Sequence, residues 1–256
     1  MFEQNINETI DELTKKFNEI KNAGYVESTA SGRGNIGLTL ENLLGKENDN
    51  FQIADYEGIE LKVKHGFSNT YICLFSIVPT GSGFFEMKRI RSKFGYPDNN
   101  YPNVKILYRS AWAKYKNKLD SGYKVSQEVN RSDKRIYLCF YNSDDRIIDK
   151  ETYWSFEDIE KMIERKLKYL AFIKAWPKRA GGKIYYKYVS MNIYKIKGFD
   201  TFLNLINQGK IRVNIQLGVY KSGPKIGQEH DHGISFGIKE CDLFRLYDKY
   251  EVKNNL

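Results

Sequence analysis

Asp55, Glu60 and Lys62 stand within one short stretch, Phe51 to Lys64 (FQIADYEGIELKVK). Two carboxylates beside a lysine suit a hard divalent cation, which takes oxygen ligands from one or two carboxylates and keeps several waters. An ion so held can activate a water against a phosphodiester. The positioning element reads as a hairpin: Phe51 to Asp55 ends one strand, Glu57-Gly58 is the turn, and Ile59 to Lys64 is the next strand. Side chains alternate along a strand, so Glu60, Lys62 and Lys64 share one face and Ile59, Leu61 and Val63 the other, with Asp55 at the mouth of the first. The same pattern describes a half-buried strand with a solvated charged face. Spacing alone leaves both readings open.

Composition narrows the partners. A chain of 256 residues makes one domain of two lobes or two small domains and can bury a sizeable core. With 41 Lys and Arg against 32 Asp and Glu, its net charge of +9 attracts polyanions, either nucleic acid or an anionic membrane. No apolar run approaches the roughly 20 residues of a membrane span. The N-terminal MFEQNINETIDELTKKF is amphipathic and acidic, unlike a signal peptide, so a cytoplasmic location is expected. Cys73, Cys139 and Cys241 lie far apart in apolar runs, which points to reduced core thiols. The abundant aromatics fit core and strand packing; charge and aromatics alone would support an RNA-binding protein only weakly.

The elements follow from periodicity. Ile6, Ile10, Leu13, Phe17 and Ile20 mark an amphipathic helix ending near Gly24. Ser31 to Gly45 is a glycine-punctuated loop entering a short helix from which Glu41 projects; it lacks the ending of a phosphate-binding P-loop. Thr70 to Val78 reads as a central strand flanking the one that carries Glu60. Pro79 to Pro102 is turn-rich and holds Lys88, Arg89, Arg91 and Lys93, either a solvated loop or a mobile one gripping phosphates. Residues 103 to 134 read as loop and irregular strand. A strand follows at Arg135 to Asn142, then a helix capped by Ser155 and Asp158 with Ile159, Ile163 and Leu167 on one face. Strand character resumes at Tyr169 to Ala175 and Ile184 to Tyr194, separated by a turn at Gly181-Gly182. A short helix from about Asp200 ends at Gly209. In Ile211 to Tyr220, Arg212, Asn214 and Gln216 share one face; Gln228 to Ile238 returns antiparallel, and a short helix near Asp242 to Tyr250 closes the chain.

Five stretches in order, GNIGLTLENLLG, ADYEGIELK, TYWSFEDIEKMIERKLKYLAFI, KIYYKY and LGVYKSGPKIGQEHDHGISF, together resemble the MvaI/BcnI-type restriction endonucleases. These are relatives of the nicking enzyme MutH within the PD-(D/E)XK fold. The resemblance covers nearly the whole chain. It implies an α/β (α+β) architecture, a mixed sheet flanked by helices, with a catalytic lobe over 1–150 facing a recognition lobe over 151–256 across the DNA. It implies that Asp55 and Glu60 hold Mg2+ with the Leu61 carbonyl, that Lys62 positions and helps activate the attacking water, and that Glu41 supports the site. The activity implied is that of a type II site-specific deoxyribonuclease, cutting double-stranded DNA as a monomer to 5′-phosphate and 3′-hydroxyl ends. A host DNA methyltransferase would be its partner activity. The alternatives are a MutH-like strand-nicking repair enzyme and a catalytically inert DNA-binding module.

The family's base readers fall on Asn214, Gln216, Lys221, His230, Asp231 and His232, with Lys88 and Arg89 as phosphate contacts. Taken alone, His230 and His232 could chelate a metal, but no further Cys or His completes a zinc site. Ala54 departs from the family's frequent proline without touching a ligand. Asn214, Gln216 and Gly237 stand where members reading CC-N-GG carry Asp, Arg and Arg. Arginine suits guanine and Asn or Gln suits adenine, so a different target is expected.

Overall fold

The computed structural model describes residues 2–29, 35–45, 54–66 and 70–251. The proposed strand start at Phe51–Ile53 and the loop at Ser31–Gly34 lie outside them. Tyr56 and Ile59 exchange both backbone hydrogen bonds, at 2.9 and 2.8 Å, across Glu57 and Gly58. Both turn residues take positive φ, +40° and +91°, which is the two-residue turn whose twist matches paired strands. The turn therefore delivers Ile59 into its strand in a fixed register.

In chain order the elements are α1 (Phe2–Asn22), β1 (Tyr25–Glu27), α2 (Asn35–Leu43), β2 (Ile59–His65), β3 (Tyr71–Ser76), α3 (Phe84–Phe94), β4 (Tyr96–Pro97) and β5 (Lys105–Ala111). Then come β6 (Asn117–Lys118), β7 (Lys124–Asn130), β8 (Arg135–Tyr141), β9 (Ile147–Asp149), β10 (Tyr153–Ser155) and α4 (Phe156–Met162), which continues into a π-helical turn, Ile163–Leu167. The last are β11 (Tyr169–Ala180), β12 (Lys183–Ile196), α5 (Phe199–Asn207), β13 (Ile211–Val219), β14 (Glu229–Lys239), α6 (Leu243–Leu246) and β15 (Tyr247–Lys249).

They form two compact units, and the division is not the linear one expected at residue 150. One unit comprises residues 1–70, 162–197 and 246–256, the other 71–161 and 198–245. Pairing explains the interleaving. In the first unit, β2 lies parallel to β11, which runs antiparallel to β12, and β1 and β15 both pair with β12. Ile10, Leu13 and Phe17 of α1 and Ile36 and Leu40 of α2 pack with Ala171, Ile173, Tyr186 and Tyr188 of this sheet. The second unit has a sheet ordered β3-β14-β13-β5-β4 and another ordered β10-β8-β7-β6, with β9 on β8. Phe75, Phe202, Phe236 and Trp154 gather there in ring contacts of 5.3–5.8 Å.

Several expectations need correction. The strand after the hairpin, β3, does not flank β2; it is the edge strand beside β14 in the other unit. Residues 84–94 are a helix, because Met87, Ile90, Arg91 and Phe94 are buried at helical spacing while Lys88 and Lys93 stay exposed. The stretch 103–134 contains the regular strands β5 and β7. The terminal helix is only α6, since Tyr247–Lys249 leaves it to pair with β12. Of the cysteines, only Cys139 is buried, its thiol pushed up to about 11 by desolvation; Cys73 and Cys241 are exposed. Ser155 Oγ and Asp158 cap α4 as expected, with Asp158 N donating to Ser155 Oγ at 3.1 Å. Among the described residues no helix is long and apolar enough to cross a membrane.

Candidate active site and base-reading face

In the first unit the hairpin and β2 bring Asp55, Glu60, Leu61 and Lys62 together. Leu61 N donates to Asp55 Oδ2 at 3.1 Å, which anchors the carboxylate at the start of the strand. Glu60 is fully buried. Its Oε1 accepts from Lys62 Nζ, and Lys166 Nζ from the π-helical turn stands 3.5 Å from the same oxygen. Glu60 Oε2 has no hydrogen-bond partner among the described residues. Burial raises the Glu60 pKa above the usual carboxylate range; Lys62 and Lys166 oppose the shift, and the negative charge of Asp55 adds to it.

Two residues of this neighbourhood escaped the sequence reading. Lys166 reaches Glu60 only because β11 lies parallel to β2 and sets the preceding turn beside it. Tyr247 is fully buried, its hydroxyl has no hydrogen-bond partner among the described residues, and its pKa is raised by burial and then by the charge of Glu60. No local pattern marks either. Glu41 is half-buried on α2, and its charge adds to the burial that raises the Tyr188 pKa.

Among the described residues, no group of three or more His, Cys, Asp or Glu side chains is arranged to hold a metal. The donor set expected from the family resemblance is two carboxylates, Asp55 and Glu60, with the Leu61 carbonyl. A buried carboxylate oxygen with no hydrogen-bond partner among the described residues, beside a second carboxylate, fits a hard divalent cation, which needs few protein ligands and completes its shell with water.

The second unit carries the other candidates. Asn214 and Gln216 lie half-buried on the polar face of β13, facing Ser110 and Tyr108 of β5 in register. Ser110 Oγ donates to Asn214 Oδ1 at 2.9 Å. These side chains line a pocket of about 330 Å³ with Trp112 and Asn117. On β14, a register shift against Gln216 and Leu217 leaves His232 as the extra residue, with Gly233 at φ +86°. A bulge of this kind re-aims its side chains. His230 stacks on Tyr220 at 3.9 Å and contacts His232 at 4.1 Å. Burial, followed by the neighbouring His232, holds the His230 pKa below the ordinary histidine value. Asp231 and Glu229 both accept from the buried Arg91. Lys221 Nζ donates to both oxygens of Asp98 at 2.6 Å.

The basic cluster of α3 is divided. Lys88 is exposed. Arg89 is committed inward: Nε donates to Glu86 Oε2 at 2.9 Å and Nη1 to Asp149 Oδ2 at 2.6 Å. Its guanidinium therefore fastens α3 to β9 and does not extend from a mobile loop.

A model of the MvaI/BcnI restriction endonuclease family matches residues 14–247. The chain is also similar to the solved restriction endonuclease MvaI in complex with its cognate DNA substrate, with 30% identity, 96% of this chain and 99% of that one covered, and a TM-score of 0.89. Against MvaI in the absence of DNA the identity is again 30%, the coverage 96% and 98%, and the TM-score 0.61. The search of curated proteins gives no match. Fold and sequence together define a type II restriction endonuclease, a site-specific deoxyribonuclease of a class that uses a divalent metal. Within that class, the chain belongs to the MvaI/BcnI restriction endonuclease family.

Proposed function

We propose that the chain hydrolyses double-stranded DNA in a Mg2+-dependent, sequence-specific reaction leaving 5′-phosphate and 3′-hydroxyl ends. The observation that carries this reading is the buried Glu60, one oxygen of which has no partner among the described residues, beside Asp55 and Lys62. Asp55, Glu60 and the Leu61 carbonyl would hold the ion. When bound, Mg2+ would offset charge on the phosphate and ease deprotonation of a water. Lys62, paired with Glu60, would orient the attacking oxygen, and Lys166 adds positive charge where negative charge develops. Attack at phosphorus breaks the bond to O3′, which leaves with a proton as the 3′-hydroxyl. Glu41 serves as a supporting residue on α2.

Base reading falls to Asn214, Gln216, His230, Asp231 and His232, with Lys221 and Lys88 as contacts to the DNA. Lys221 would exchange its Asp98 partner for DNA. Amides on β13 favour adenine edges, so the target differs from CC-N-GG. The enzyme acts as a monomer and is paired in its host with a DNA methyltransferase of the same target.

Incubating the protein and its Asp55→Ala variant with unmethylated plasmid and phage DNA in Mg2+, then sequencing the ends, tests this. Discrete Mg2+-dependent fragments from the unaltered protein alone are expected. Nicks in one strand only would favour the MutH-like reading, and duplex binding without cutting the inert module. Ends mapping to CC(A/T)GG or CC(G/C)GG would overturn the altered target while leaving the enzyme.

A further inference from the structure

Arg212 lies on the same face of β13 as Asn214 and Gln216, and it alone of the three is cationic. Its guanidinium stands 3.7 Å from the centroid of the Tyr71 ring and 5.9 Å from that of Trp112. Arg89, Arg91, Arg109, Arg131 and Arg245 each pair with a carboxylate. Arg212 pairs with none among the described residues, and its Nε is buried without a hydrogen-bond partner. Desolvation accordingly lowers its pKa from the ordinary arginine value, against a smaller opposing contribution from Tyr71.

The space for this side chain comes from the strand opposite. Gly237 is the cross-strand partner of Arg212. A Cβ at Gly237 would stand 3.9 Å from Arg212 Nε and 3.1 Å from the Ile72 carbonyl oxygen. The absence of a side chain there lets Arg212 extend across β14 toward Tyr71 on β3. A partly desolvated guanidinium without a carboxylate is costly, and stacking offsets that only in part. What stacking does supply is a fixed plane, leaving the edge N–H donors oriented for a planar pair of acceptors. A flexible contact to phosphate needs no such fixing.

We propose that Arg212 is a specificity-determining residue that donates to the O6 and N7 edge of a guanine in the DNA, as the next reader in the row formed by Asn214 and Gln216. The inference rests on the DNA-cutting role proposed above and names a further base that the same face reads.

The test compares cleavage rates of the unaltered protein, Arg212→Ala and Arg212→Lys. Substrates carry the mapped target, each of its single-base-pair variants, and 7-deazaguanine, which lacks the N7 acceptor, at each guanine in turn. At one guanine the unaltered protein should lose about tenfold or more in rate with the deaza base. Both variants should be slow on the natural target, insensitive to the deaza base there and tolerant of another pair at that position. Arg212→Lys keeps the charge and the aliphatic stem, so it decides the question if Arg212→Ala fails to fold. An even loss of rate on every substrate would assign Arg212 to phosphate contact or packing and overturn the proposal, as would unchanged discrimination or a target without guanine. Site-specific cutting by the unaltered protein with any of these results removes Arg212 alone, whereas an unaltered protein that cuts at no defined site removes the DNA-cutting role as well.

Discussion

Glu60 illustrates how chemistry and stability oppose each other at a single residue. Its side chain is fully buried and desolvation is the largest influence on its pKa, so the ionised form is held against its preference and Lys62 and Lys166 compensate only in part. Glu60→Gln keeps the shape and removes the charge. In EDTA the variant should be more stable, with a higher Tm, while cleavage is lost. Calorimetry showing a lower Tm would mean that the ion pairs outweigh the desolvation. Lys62→Ala should reduce single-turnover cleavage about 10²–10³-fold while leaving DNA affinity nearly intact, and a parallel loss of affinity would make Lys62 a binding residue instead. The triad of Asp55, Glu60 and Lys62 was legible because one tight turn and the two-residue period of a strand fix it locally. Lys166 and Tyr247 were not, because a parallel strand pairing and the return of the chain terminus bring them in from remote sequence.

At the scale of elements, helix α3 shows how charge can conceal structure. Its apolar residues Met87, Ile90 and Phe94 keep helical spacing, but the interposed basic residues and the flanking glycines and prolines resembled a loop. The structure shows two kinds of cation on it. Arg89 and Lys93 both bind Asp149, a buried residue of β9. Burial tends to raise the Asp149 pKa, but the hydrogen bonds from Arg89, Lys93 and the Glu151 N–H prevail and lower it to about 2. A carboxylate depressed in the folded state stabilises above its unfolded value of roughly 3.9 and loses that contribution as pH falls through the folded value. Asp149→Asn should therefore cost ~2 kcal/mol at pH 7, a difference from the unaltered protein that closes between about pH 4 and pH 2. A deficit that persists unchanged below pH 2 in denaturant titrations would assign the loss to packing instead. Lys88 is the contrasting case. Lys88→Ala should weaken binding evenly across sequences and reduce the slope of log K against log salt by about 0.9, whereas Arg89→Ala should lower stability and leave that slope unchanged. Equal slopes for all three proteins would remove Lys88 from the DNA contacts.

At the scale of the molecule, the chain crosses between its two units after residues 70, 161, 197 and 245. Sequence reading placed most strands of the second half correctly, since alternation and glycine turns mark them locally. It paired β13 with β14, which follows it after a short loop, but not strands remote in sequence, because which of those become neighbours depends on burial summed over the whole fold. The expected boundary at residue 150 cuts through both sheets that matter. It separates β2 from β11, its parallel partner along Ile59–His65, and β3 from β14. It also parts α1 and α2 from the β11 and β12 residues that complete their core. Fragments 1–150 and 151–256, produced separately, would expose these apolar faces and leave strand edges unpaired. Neither should fold alone. Amide exchange should be fast throughout the 1–150 fragment, including β2, and slow in the intact chain, while mixing the fragments should restore protection in β2 and β11 together. A 1–150 fragment with a cooperative thermal transition and slow exchange in β2 would mean that α1, α2 and the hairpin suffice to hold Asp55, Glu60 and Lys62. The parallel pairing with β11 would then serve chiefly to bring Lys166 to a site already formed, and β2 exchange in the isolated fragment separates the two roles.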